Sequence, residues 1–334
     1  MRFLIQRICF YTVALWAAMT ANFLLPRLTG QSPADGIINK DRTLYSSHPE
    51  LIQRLYEQYG HGGVSFHQMV TQYPHYLLHM ITFDFGISTL HGTPVSGIIK
   101  QTLPYSIFLA GTAVFLSCTI GTFVGMYCAW RRTGKVDSVA PSFFIAIGAF
   151  PAQFVALLAV YFLALGEGPA HLKIFPAQLA YDADKSPGWN WTFVSNVFRH
   201  AELPILILTA LGIGGWLLIM RNVMINNIDE DYITMGRAKG VRDWRLMTWY
   251  AGRNSILPTF TAFAGALGAV VAGAILVEFV FSYPGMGLTL QQAAIGGDYQ
   301  LAQACLLVIA ACVLLANFIM DSIYVVLDPR TRVA

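Results

Sequence analysis

Long apolar runs alternate along the chain with shorter polar stretches that hold most of the charge. A spanning helix needs about 20 mostly apolar residues. Six stretches meet that need: 3–25, 103–130, 138–165, 203–220, 256–281 and 301–327, each bounded by Pro, Gly or charge. The pattern predicts an all-α integral membrane protein with six transmembrane helices. Arg2 and Arg7 beside the first run resemble the start of a secretory signal. The run is too long for a signal core, and no small-residue cleavage site follows it, so it reads as a retained anchor.

The polar segments add organisation. Residues 26–102 form a connection too long to be structureless. Within it Leu51, Ile52, Leu55 and Tyr56 fall at helical spacing over 48–59. This predicts a small extracytoplasmic domain packed on the membrane part. The chain then divides into 1–102, the first helix with that domain, and 103–334, a five-helix core carrying a cytoplasmic loop at 222–255. A second outer segment, 166–202, holds Pro169, Pro176 and Pro187 with Trp189 and Trp191. Such aromatics suit a membrane interface.

Charge fixes the orientation. Only 12% of residues are charged against 55% hydrophobic, about half of the ~25% usual for a soluble domain. With the N-terminus inside, 13 of the 21 Lys and Arg fall in the shorter, cytoplasmic set of loops. The positive-inside pattern places both termini in the cytoplasm and makes this a multi-pass protein of the cell membrane, in contact with lipid. A net charge of +3 gives no reason to expect a nucleic-acid partner. All eight histidines fall in the outer loops. His75 and His79 are spaced for a shared metal, but ordinary solvated histidines are the simpler reading, so no metal is expected. Cys9, Cys118, Cys128, Cys305 and Cys312 form no CxxC pair and read as small hydrophobes.

Loop 222–255 holds the candidate chemistry. Asp229, Glu230 and Asp231 sit where a helix N-cap and its dipole favour acid. They predict a short helix over 232–239, ended by a left-handed Gly240. Asp243 is placed to cap a second helix over 244–255, and the chain re-enters the bilayer near Ile256 with Pro258 in the first turn. The pattern leaves Tyr232, Ile233, Met235, Trp244, Leu246, Met247, Trp249 and Tyr250 exposed among basic residues. That suits a docking surface for a cytoplasmic partner, or a helix lying on anionic lipid.

Ionisable groups inside spans are costly and often functional. Glu278, near the outer end of the fifth run, and the nearby Tyr283 are candidates for a translocation path or outer gate. Glu278 could equally hold the turn at 282–287. Asp321 in the sixth run suits a bond across helices or to a partner subunit. Gly111, Gly121, Gly125, Gly212, Gly214, Gly215, Gly265, Gly268 and Gly273 permit close helix packing or leave room for a solute. The chain has no GxxxxGK[ST], HExxH or GxSxG sequence, so it is expected to be a non-catalytic subunit with no bound cofactor.

Arg237-Ala-Lys-Gly240 followed by Arg253-Asn-Ser-Ile-Leu-Pro258 resembles the coupling motif of ABC-importer permeases. More narrowly it resembles the first permease subunit of the dipeptide/oligopeptide branch. Phe83-Asp-Phe-Gly-Ile-Ser88 with Gly92, Pro94 and Val95, Glu278-Phe-Val-Phe-Ser-Tyr-Pro-Gly-Met-Gly287 and Asp328-Pro-Arg-Thr-Arg332 resemble other segments of that family in the right order. Thr234, Met235 and Gly236 depart from it, standing where the broader motif has Glu-Ala-Ala. The resemblance implies a second, homologous permease subunit, two ATPase subunits that bind ATP and Mg, and an extracytoplasmic solute-binding protein. It implies that Tyr232, Met235, Arg237, Ala238, Lys239, Gly240 and Arg242 couple this chain to an ATPase. Ala238 and Gly240 would sit deepest in its groove, with Arg237 and Lys239 at the rim. The implied substrate is a dipeptide or oligopeptide, with oligosaccharides or metal complexes as alternatives. A secondary transporter is the competing class, and it would need ion sites at mid-membrane. A membrane-anchored sensor would not need six spans.

Overall fold

The computed structural model describes residues 2–28, 38, 49–53, 66–167, 173–185 and 187–327. Their regular structure is helical, with one isolated bridge between Ile87 and Pro94 and no strand among them. The helices are α1 (Arg2–Leu28), α2 (Phe66–Ile81), α3 (Val95–Trp130), α4 (Lys135–Gly148), α5 (Ala152–Ala159) and α6 (Trp191–Ile228). Next come α7 (Asp231–Ala238) and α8, which runs through Asp243–Arg245, a π-helical Leu246–Gly252 and Arg253–Ser255. They are followed by α9 (Leu257–Gly273), α10 (Ile275–Val280), α11 (Met286–Ile295) and α12 (Tyr299–Leu327). Of the helix expected over 48–59, residues 49–53 are helical and 54–59 lie outside the described residues, as does the 328–332 motif.

Four described helices are long and apolar enough to cross a membrane: Gln6–Leu24, Val95–Trp130, Trp191–Ile228 and Tyr299–Ile319. The third apolar run is not the single helix expected over 138–165. It breaks into Lys135–Gly148 and Ala152–Leu165, whose axes meet at 91°. Counted as one span, this pair makes five. The break falls at Pro151, the N-cap of α5, which has no N–H to continue the ladder. The run 256–281 is also divided. Its first part, α9, has 17 residues, about 26 Å of helix, and Ala274 separates it from α10.

The described residues form two compact units, one within 1–106 and 284–322, the other within 107–283 and 323–334. In the first, α1 pairs with α2 and α12. Thr20 and Tyr73 hydroxyls meet at 2.6 Å, and the Phe23 ring packs edge-on to Tyr73. Asn22 and Gln303 exchange two side chain-to-backbone bonds, at 2.8 and 3.1 Å. Asp321 accepts from Tyr11 Oη at 2.7 Å and pairs with Arg7 at 3.0 Å, so it does bond across helices. The segment Phe83–Ser88 is pinned by a residue the sequence did not single out. Asp298 is fully buried. It accepts from Ser88 Oγ at 2.5 Å and Leu90 N at 3.0 Å, and it caps α12 through Leu301 N at 3.0 Å.

In the second unit, α3 and α6 approach closely through glycine. A Cβ on Gly121 would lie 2.6 Å from Trp216 Cβ, and one on Gly125 would meet the Leu217 carbonyl oxygen. Gly214 does the same against α4, 2.8 Å from the Phe144 oxygen. Gly111, Gly215 and Gly265 face open space. The Trp216 indole donates to Ser117 Oγ at 3.1 Å, which satisfies a buried N–H at the same interface. Arg221 on α6 grips Asp137 in the first turn of α4 through two bonds, at 2.5 and 2.9 Å.

Candidate functional site

The polar ends of α3 and α6 carry a small substructure built around α7. Its foundation is a buried cluster of Met126, Ala129, Met220, Met224, Ile228, Ile233, Met247 and Ala251, with Trp130 and Tyr232 packed against it. Ile233 is the anchor, since it is the side chain of α7 that is fully buried in this cluster. Gly236 lies one turn on, against α8. A Cβ there would sit 2.5 Å from Leu246 Cδ2, and Leu246 is itself fully buried. Glycine at 236 therefore sets how closely α7 seats on α8.

The end of α7 is as the sequence predicts. Lys239 N donates to Met235 O at 3.0 Å and Val241 N to Gly236 O at 3.2 Å. Gly240 turns the chain at φ +74°, a conformation that favours glycine. A Cβ on Gly240 would touch nothing within 4 Å, so backbone strain and not space restricts this position within the chain.

At the start of α7 the acidic triplet supplies the N-cap, Glu230, and the first-turn acid, Asp231, although the Glu230 side chain makes no capping bond. Asp229 instead takes both guanidinium nitrogens of Arg132, at 2.8 and 2.9 Å. That hydrogen bond holds the Asp229 carboxyl below the usual carboxylate range. The pairing ties the loop after α3 to the loop after α6. Asp243 is likewise not a cap but the first residue of α8, whose N-cap is Arg242.

Burial divides the apolar residues of this loop. Ile233, Leu246 and Met247 are buried, contrary to the expectation that all eight are exposed, because α7 and α8 fold back onto α3 and α6. Met235, Trp244, Trp249 and Tyr250 do stay exposed. Tyr232 is half-buried. Ala238, Lys239, Gly240 and Arg242 are exposed, as is Met235, and together they form a solvent-facing surface. Arg237 is exposed too, with its guanidinium 5.4 Å from the centroid of the Trp130 ring. No local pattern signals this contact or the seating roles of Ile233 and Gly236, because each depends on a side chain from another element.

Glu278 and Tyr283 are close together and buried, 1% and 0% exposed. Glu278 lies on α10, which packs against α5. Its carbonyl accepts from Tyr283 N at 2.8 Å, so its main chain holds the following turn. Ser282 enters that turn at φ +47°.

His200 does not lie in a loop but is buried within α6. It is held by Asn196 O at 3.0 Å and Asp182 at 3.4 Å. His75 and His79 stack with ring centroids 6.4 Å apart. Among the described residues no three His, Cys, Asp or Glu gather as a metal site. The five cysteines are free thiols.

Residues 121–333 match the family of binding-protein-dependent transport system inner membrane components. The chain is 30% identical over 338 residues to a protein of Brucella suis described as a peptide permease, covering all of this chain and 99% of the other. It is 28% identical over 311 residues to a peptide ABC transporter permease protein of Sinorhizobium fredii, covering 93% of this chain and 92% of that one. The dipeptide transport system permease protein of Bacillus subtilis is 26% identical over 335 residues, 99% of this chain and 98% of its own.

Proposed function

The chain belongs to the family of binding-protein-dependent transport system inner membrane components, and from that premise we propose that it is a permease subunit of an ATP-driven importer of dipeptides or oligopeptides. Full-length similarity to peptide permeases of three bacteria supports the substrate class. The chain forms its pore with a second, homologous permease and crosses the cell membrane six times, both termini in the cytoplasm. The divided runs 138–165 and 256–281 each count as one crossing. An extracytoplasmic binding protein delivers the solute, and two ATPase subunits supply ATP and Mg chemistry that this chain does not perform.

The single observation that carries the mechanism is the geometry of α7. A lever must be stiffly rooted and must present a small surface to what moves it. Ile233 and Gly236 provide the root. Met235, Ala238, Lys239, Gly240 and Arg242 provide the surface. Because the root lies between the ends of α3 and α6, a push on α7 is passed to those two helices rather than absorbed by a loose loop. Tyr232 and Arg237 take part from the side, stiffening the knob against the buried cluster and Trp130. Glu278 and Tyr283 are assigned to the outer gate.

The test is co-purification of the chain with its ATPases, then ATP hydrolysis in liposomes with and without peptide-loaded binding protein. Loaded binding protein should stimulate hydrolysis. Gly240→Trp should abolish that stimulation and release the ATPases while the permease stays folded. A chain that purifies without ATPases and moves solute on an ion gradient would overturn the reading.

A further inference from the structure

Four side chains of α8 line a surface pocket that the coupling surface does not use: Arg245, Trp249, Tyr250 and Arg253. The pocket has a volume of about 550 Å³. Arg245, Trp249 and Arg253 are spaced i, i+4 and i+8, the spacing of one helix face. All four residues are exposed, Trp249 at 68%. Among the described residues no carboxylate lies within ion-pair distance of Arg245 or Arg253. Two guanidiniums are thus directed into one pocket with an indole and a phenol.

Position selects the occupant. Arg253 is four residues before Leu257, where the apolar helix α9 begins. One helical turn is about 5.4 Å, and the headgroup layer of a bilayer is about that thick. A face carrying Arg at this distance from an apolar helix, with Trp249 and Tyr250 between its two Arg residues, has the composition of an interfacial segment. We propose that Arg245, Trp249, Tyr250 and Arg253 bind the phosphodiester headgroup of an anionic phospholipid from the leaflet that α9 enters. The guanidiniums take the phosphate oxygens, and the two aromatic rings between them pack against the glycerol of the headgroup. The segment Leu246–Gly252 that carries the rings is π-helical, a widened turn of the kind often found at functional sites. In that arrangement lipid fixes one face of α8, while Gly236 and Leu246 couple α8 to the knob. The proposal rests on the reading of this chain as a membrane permease but not on which solute it moves or which ATPase it meets.

The experiment is retention of defined lipids by the purified full-length chain, measured by native mass spectrometry. Detergent micelles are doped with phosphatidylglycerol or phosphatidylcholine, with inorganic phosphate as a competitor. The chain should retain phosphatidylglycerol over phosphatidylcholine. R245Q/R253Q should reduce that preference roughly thirty-fold, the discrimination two basic residues supply at a charged surface. R245K/R253K should keep most of the preference. Brominated phosphatidylglycerol should quench tryptophan fluorescence, and Trp249→Phe should remove that portion of the quenching. An unchanged lipid preference in R245Q/R253Q would overturn the proposal. So would displacement of the lipid by inorganic phosphate at equal concentration, which would mark a free-anion site. Loss of ATPase co-purification in R245Q/R253Q with lipid preference intact would also overturn it, and would assign this face to the protein partner. None of these readouts depends on Gly240→Trp, so failure of the lipid site and failure of the coupling reading are distinguishable.

Discussion

At the residue scale, two glycines in one helix-turn unit are required for opposite reasons. Gly236 is required by space, since a Cβ would strike the end of the Leu246 side chain, which is itself buried. Gly236→Val should lower the thermal midpoint in detergent, at a cost of about 1–3 kcal/mol typical of overpacking, and should loosen α7 from α8. Gly240 is required by backbone, with open space around it. Gly240→Ala should cost about 1–2 kcal/mol, and Gly240→Asn, which tolerates the left-handed region, clearly less. Thermal unfolding of the pair of variants separates the two causes. The Arg132–Asp229 pair carries a pH signature. Its carboxyl is held below the usual range, so its contribution is complete above the unfolded Asp value of about 3.9. It is lost as pH falls through the depressed folded value. The midpoint difference between the parent and Asp229→Asn should be constant at neutral pH and should vanish in acid. A difference that grows with acidification would contradict this assignment.

Elements make their demands through pairs of faces. The α3–α6 crossing is set by Gly121 and Gly125 on one helix and the Ile213–Leu217 backbone on the other. Methyl groups on α3 therefore have effects that depend on face alone. Gly125→Ala should destabilise by about 1–3 kcal/mol. Gly111→Ala, on the same helix but facing open space, should be neutral or stabilising by up to about 1 kcal/mol from helix propensity. Denaturation of both variants in one detergent tests this. If both behaved alike, helix propensity rather than packing would govern α3. The same crossing explains why α7 is well seated. Its buried cluster lies at the ends of these two helices.

For the whole molecule, the distribution of positive charge predicts the side on which α7 works. Thr133, in the turn between α3 and α4, and Trp189, fully exposed before α6, should lie on opposite sides of the membrane. In a background without the five native thiols, Trp189→Cys should react with a membrane-impermeant maleimide in intact cells. Thr133→Cys should react only after permeabilisation. The reverse pattern would put α7 outside and remove the coupling reading at once. Family membership, by contrast, was legible before any coordinates. The motifs that carried it are contiguous in sequence, and a helix-glycine-helix signal needs no distant partner to be read.

What the sequence determined by itself is therefore the part of this protein governed by local forces. Apolar runs the length of a bilayer, the left-handed glycine after α7 and the helical entry at Leu257 with Pro258 in its first turn are properties of neighbouring residues. Tertiary structure decided what depends on distant ones. It paired Asp229 with Arg132, 97 residues away. It also buried Ile233, Leu246 and Met247, which an isolated loop would expose. The reason is one of energy. A local cap contributes about 1 kcal/mol, whereas burying a large apolar side chain contributes about 1.5–3 kcal/mol. The surfaces of α3 and α6 therefore decide which apolar side chains of this loop are buried.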